Sequence, residues 1–119
     1  MKDLLLLTLL IVVSNILVAQ KPKNGIYTYS IMWDEFGGKD LANTCTVIVH
    51  NHSIKVIHNG RANLSGNKGD ILYQGIILKH KSGKWIIGQS RKDRNAKEIG
   101  GCAEGPTLID FKQKIVWLC

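Results

Sequence analysis

Three times along this chain, two short runs rich in β-branched and aromatic residues stand either side of two or three turn formers. That arrangement restricts the fold more than any other feature. Residues 45–50 (CTVIVH) and 53–59 (SIKVIHN) flank Asn51-His52, residues 71–80 and 84–90 flank Lys81-Ser82-Gly83, and residues 107–111 and 114–119 flank Lys112-Gln113. Each reads as a β-hairpin, with Gly83 placed for the positive φ that such a turn requires. A further run, residues 25–33 (GIYTYSIMW), puts Tyr27, Tyr29, Ile31 and Trp33 on one face at a period of two. In the later hairpins the same alternation groups Trp85 with Ile87 and Trp117 with Ile115, both pairs predicted to face a core. DEFGGKDLAN, after the first run, reads as a break, and residues 60–70 as a polar loop.

About seven strands joined mainly by hairpins, with no long helix to make a parallel crossover, predict an all-β antiparallel meander. Closing such a sheet into a small barrel or half-open barrel protects its two edges. A two-sheet sandwich is the alternative. Residues 90–98 stand apart from the strand pattern. Ser90 with Asp93 three residues later matches a capping box, so a short helix is expected there, with a charged loop as the alternative.

The Gly-x-Tyr opening of the first strand (Gly25, Tyr27), followed by hairpin after hairpin, resembles lipocalin-type small barrels. It also resembles small secreted bacterial proteins of unknown function. The resemblance runs over the outline of residues 20–119. It implies a small barrel whose mouth holds an apolar ligand, and it transfers no site residue.

Residues 1–19 (MKDLLLLTLLIVVSNILVA) have the form of a signal peptide: Lys2 first, an apolar run from Leu4 to Val13, and Ala19 as a cleavage point. Ser14 and Asn15 interrupt a run already shorter than the roughly 20 apolar residues that span a bilayer. The expectation is a secreted or periplasmic protein, not membrane-spanning after cleavage, with residues 20–119 as a single β domain. The formal charge is +7, and the leader's single Lys and single Asp cancel, so the mature chain keeps it. Lys outnumbers Arg, which predicts a diffuse field rather than a bidentate recognition fork. Solubility alone accounts for such a charge; the functional alternative is an anionic surface or cell-envelope component as partner. No nucleic-acid partner is expected, since an exported chain without an Arg/aromatic stripe rarely needs one.

Three cysteines in an exported domain allow one bridge and leave one thiol over. If Lys112-Gln113 forms a two-residue turn, Pro106 falls opposite Cys119, and the Gly-rich segment holding Cys102 can swing to the chain end. A Cys102–Cys119 disulfide is expected, closing a loop that contributes about 3 kcal/mol in the chain-entropy model. Cys45–Cys119 and no intramolecular bridge are the alternatives. With Cys45 left as a thiol, an Asn51-His52 turn pairs it with His58, with Cβ atoms about 5 Å apart. Such a pair is the minimal activated nucleophile, whereas Cys45 beside Val47 and Val49 also reads as a small buried hydrophobe.

His50 and His52 have a spacing that suits a metal on an extended strand, with His58 and His80 able to approach, yet they straddle a proposed turn with no carboxylate beside them. Trp33 with Phe36 forms a candidate aromatic lining for a barrel mouth. No serine sits in a nucleophile elbow and no Gly-rich phosphate loop precedes a helix, so no cofactor is expected. These features favour a non-enzymatic binding or interaction module. A structural envelope protein and a small thiol- or metal-dependent enzyme are the alternatives.

Overall fold

The computed structural model describes residues 21–33, 39–61, 66–100 and 105–119. Its strands, in chain order, are β1 (Gly25–Trp33), β2 (Lys39–His50), β3 (Ser53–Ile57), β4 (Ile71–Lys79), β5 (Trp85–Gly88), β6 (Thr107–Asp110) and β7 (Ile115–Leu118). Each pairs with the next, and β7 returns to β1 to close a barrel. The protein is thus all-β, a barrel rather than a sandwich. The six sequential pairs are antiparallel, whereas the closing β1–β7 pair is parallel, Ile31 lying opposite Val116. Strand direction alternates along a meander, so an odd number of strands leaves the first and last pointing the same way. Parallel neighbours cannot be joined by a tight hairpin. This pair is joined by the rest of the chain.

The hairpins fold where the turn residues place them. His50 pairs with Ser53 and Val49 with Ile54, and Asn51 takes the left-handed conformation (φ 56°) that its short amide side chain tolerates. Gly83 (φ 90°) closes the β4–β5 loop, where the His80 amide donates to the Lys84 carbonyl at 2.9 Å. At the last turn the Asp110 carboxylate accepts from the amides of Lys112 and Gln113, both at 2.9 Å, before Ile115 pairs back with Asp110.

Two expectations are corrected. β2 begins at Lys39, inside the stretch expected to break: Trp33 pairs with Lys39 and Met32 with Asp40. The extension follows a bulge, because Ser30 pairs with Thr44, so residues 41–43 stand against Ile31 alone. Trp117 does not face the core. Val116 and Leu118 point into the barrel, and Trp117 lies half-buried on the other face of β7.

Inside, Tyr29 and Ile31 of β1, Val47 and Val49 of β2, Val56 of β3 and Val116 of β7 are all but inaccessible to solvent. Side chains fill the interior positions of these strands, as they do in small closed barrels. Burial continues outside the barrel on one side. Leu78, Ile86 and Leu108 lie in a row across β4, β5 and β6, and Ile86 is fully buried although it is not part of the interior cluster. The chain after β5 folds back along this outer face. Ser90 leads into a five-residue 3-10 helix, Arg91–Asn95, and Asp93 reaches back to accept from the amides of Gln89 (2.7 Å) and Ser90 (3.4 Å). The segment then docks on the β4–β5 turn: the Lys81 amide donates to the Arg94 carbonyl at 2.9 Å, and His80 Nε2 lies 2.7 Å from the Ala96 carbonyl.

Candidate functional site

The hairpin turns 51–52, 81–83 and 111–114 lie at one end of the barrel, with residues 21–24 leading into β1. Aromatic side chains close this mouth. Tyr27 packs edge-on against Tyr29 (6.3 Å between ring centroids), Tyr29 against Phe111 (6.4 Å) and Phe111 against Trp85 (5.7 Å). Edge-to-face geometry sets the positive edge of each ring against the negative face of the next. Lys79, opposite Trp85 in the β4–β5 ladder, holds its Nζ 5.4 Å from the Trp85 ring centroid.

A cleft of about 420 Å³ opens beside this mouth. Ile76, Leu78 and Trp85 supply its apolar side, and Lys21, Lys79, Arg91 and Arg94 its charge. A second hollow of about 500 Å³ adjoins it, sharing Lys79, Arg91 and Arg94 and adding His80 and Lys81. Among the described residues no carboxylate lines either hollow.

The local sequence explains the convergence. A 3-10 helix has three residues per turn, so residues three apart eclipse, and Arg91 and Arg94 share one face. Asp93, which would oppose them, is turned back into the helix cap. Arg94 Nε donates to the Lys79 carbonyl at 3.3 Å, tying the helix to β4. Across the cleft, Lys21 Nζ donates to the Asn51 carbonyl at 2.6 Å and lies 3.0 Å from His52 Nδ1. Asn24 Oδ1 accepts from the Asn51 amide at 2.7 Å, which pins the entering chain on the β2–β3 turn. The chain has three arginines, and two of them meet here. Arg-x-x-Arg beginning one residue after a cap was the signal for this, and it was legible in the sequence only if the helix were taken as 3-10.

The residues singled out from the sequence scatter. Trp33 is at the opposite end of the barrel, half-buried against the core, and Phe36 lies outside the described residues. His50 is exposed at the end of β2, while His52 is exposed in the turn and on the edge of the cleft. Among the described residues no three His, Cys, Asp or Glu side chains come together. Cys102 lies outside the described residues.

The hairpin register sets Cys45 opposite His58, since Thr46 pairs with Ile57. Their environments nevertheless oppose activation. The fully buried Cys45 thiol donates to the Tyr29 carbonyl at 3.8 Å, and burial pushes its pKa up from 9.0 to about 12. A reactive thiolate requires the reverse shift. His58 accepts at Nδ1 from the Gly60 amide (2.9 Å), and its buried Nε2 has no hydrogen-bond partner among the described residues.

A pH dependence follows. Tyr29 is likewise raised from 10.0 to about 12, chiefly by burial and then by Tyr27, Asp110 and Cys45 nearby. Unfolded, the two groups lose their protons near 9.0 and 10.0, whereas the native state holds both to about 12. Above pH 9 the unfolded chain therefore binds fewer protons, and stability falls as pH rises. The denaturant midpoint is expected to be level from neutrality to about pH 9 and to drop through pH 10 and 11, with part of the drop removed by Cys45→Ala. A midpoint that stays level to pH 11 counts against this.

No family model, curated protein or solved structure matches the chain. Among the described residues no helix is long and apolar enough to cross a membrane.

Proposed function

We propose that the protein is an exported small-barrel binding module that takes an anionic partner in the cleft between β4 and the 3-10 helix. The observation that carries this reading is the convergence of Lys79, Arg91 and Arg94 on one hollow that, among the described residues, no carboxylate lines. Like charges held together raise the local potential well above that of a diffuse +7 surface. The leader at residues 1–19, and a secreted or periplasmic destination, belong to the same proposal. So does the Cys102–Cys119 bridge, supported by the free, buried state of Cys45 and by the disulfide-bonded state of Cys119. No catalytic role is assigned to Cys45 or His58.

Retention on immobilised dextran sulfate tests the binding reading. The protein is expected to bind at low salt and to elute as the Debye length falls below about 10 Å, near 0.1 M. The double variant Arg91→Gln, Arg94→Gln is expected to elute at clearly lower salt, while Lys112→Gln, on the last hairpin turn, shifts elution little. Equal shifts from the two would assign retention to the overall field and remove the cleft from the proposal. No retention at any salt would favour a structural envelope protein. Intact mass of the same preparation, alkylated after denaturation without reduction, is expected to begin at Gln20 and carry one adduct. A retained leader or a second adduct contradicts export or the bridge respectively.

A further inference from the structure

We propose that the ligand of the cleft is a glycerophospholipid, its headgroup phosphate among Lys79, Arg91 and Arg94 and its apolar portion along Ile76, Leu78 and Trp85. This rests on the reading of the cleft as an anion site and names the chemistry that fills it.

The cleft has two halves of different character. On one side Arg91 and Arg94, three residues apart on the 3-10 helix, line the same hollow as Lys79. Arg pairs with phosphate through parallel N–H donors, and Lys adds a point charge. Both partners are held in place before any ligand arrives. Arg94 Nε is engaged by the Lys79 carbonyl, and the Lys79 ammonium stands over the Trp85 ring. Among the described residues no carboxylate competes for these cations.

On the other side Ile76 and Leu78, partly exposed on the outer face of β4, and the half-buried Trp85 at the barrel mouth border the same cleft. Inorganic phosphate would satisfy the cations and leave this strip wet. A sulfated or uronic polysaccharide would do the same, being polar along its length. An apolar peptide would cover the strip and leave the clustered positive charge unmatched. An amphiphile with a phosphate at the junction of its polar and apolar parts complements both halves. Phospholipid is the form in which an exported protein meets one.

Sedimentation with vesicles tests the proposal, using phosphatidylcholine alone and an equimolar mixture of phosphatidylcholine and phosphatidylglycerol. Binding is expected to the mixture. Arg91→Gln with Arg94→Gln is expected to raise the lipid concentration for half-binding at least ten-fold, and Ile76→Ser to raise it several-fold. Ile76→Ser is also expected to keep the far-UV circular dichroism and a cooperative urea transition, which shows that the variant is folded. Vesicle binding that ignores Ile76→Ser means attraction to surface charge alone and overturns the proposal. Inorganic phosphate that displaces the protein from vesicles at concentrations where equal ionic strength of chloride does not would assign the site to free phosphate and overturn it too. Retention on dextran sulfate without vesicle binding removes the lipid and keeps the anion site. Failure on both matrices removes both.

Discussion

Replacing Gly75 by alanine is expected to cost the barrel about 1–3 kcal/mol, the range for forcing an extra methyl into a packed site. Gly75 lies in β4 opposite Ile54 of β3, and a Cβ there would fall well inside contact distance of the Gly88 carbonyl oxygen of β5. A side chain in that place could turn aside. A backbone oxygen cannot, so β4 and β5 would have to part. The strain also reaches the outer face, where Gln89 Nε2 donates to the Gln74 carbonyl at 2.9 Å just before the helix that bears the arginines. For a domain whose whole stability is of the order of 5–15 kcal/mol, this is a substantial share. Urea unfolding of the two proteins provides the check: the midpoint falls while the slope is kept. An unchanged midpoint would mean that the β4–β5 approach is looser than the structure has it.

Ile31→Ala carries the largest expected effect, about 2–5 kcal/mol, the usual cost of emptying a fully buried aliphatic site. Ile31 is inaccessible to solvent, faces the interior and lies opposite Val116 where β1 meets β7. It also stands alone against residues 41–43 of β2 at the bulge, where the ladder is already interrupted. Ile26 of the same strand is 75% exposed, and Ile26→Ala is expected to stay within about 0.5 kcal/mol. The contrast between these two isoleucines reads the register of β1 directly. A larger loss at Ile26 than at Ile31 would show that the strand is turned over.

The hairpins were legible because their signals are local. Asn51, Gly83 and the Lys112-Gln113 pair each demand a turn, and a turn dictates which residues face one another. The inward set of β1, Tyr27 through Trp33, was legible because polar Thr28 and Ser30 alternate with its apolar members. Trp117 was misplaced for the opposite reason. Ile115 and Val116 are both buried, and where consecutive residues are apolar, alternation no longer distinguishes the faces. The early start of β2 rests on pairing across a bulge, Met32 with Asp40, and LysAspLeuAlaAsn has no strand propensity of its own to announce it. The cleft was hidden furthest. Lys21, Lys79, Arg91 and Arg94 come from three parts of the chain, and composition, dominated by Lys, pointed to a spread-out field. Only the folding-back of the segment after β5, held by His80 and Lys81, sets the arginines beside β4.

The parallel seam has a consequence for handling the protein. An even-stranded meander brings both of its ends out on the same side. Here β1 enters beside the cleft, at the turns, and β7, running in the same direction, leaves at the far side of the sheet. The two exits are separated by the length of a strand, about 30 Å for nine residues. A tag or surface attachment joined after Cys119 therefore points the cleft outward into solution, whereas one joined before Lys21 crowds it. Anchoring by the C-terminal end is the orientation that leaves the cleft open to solution.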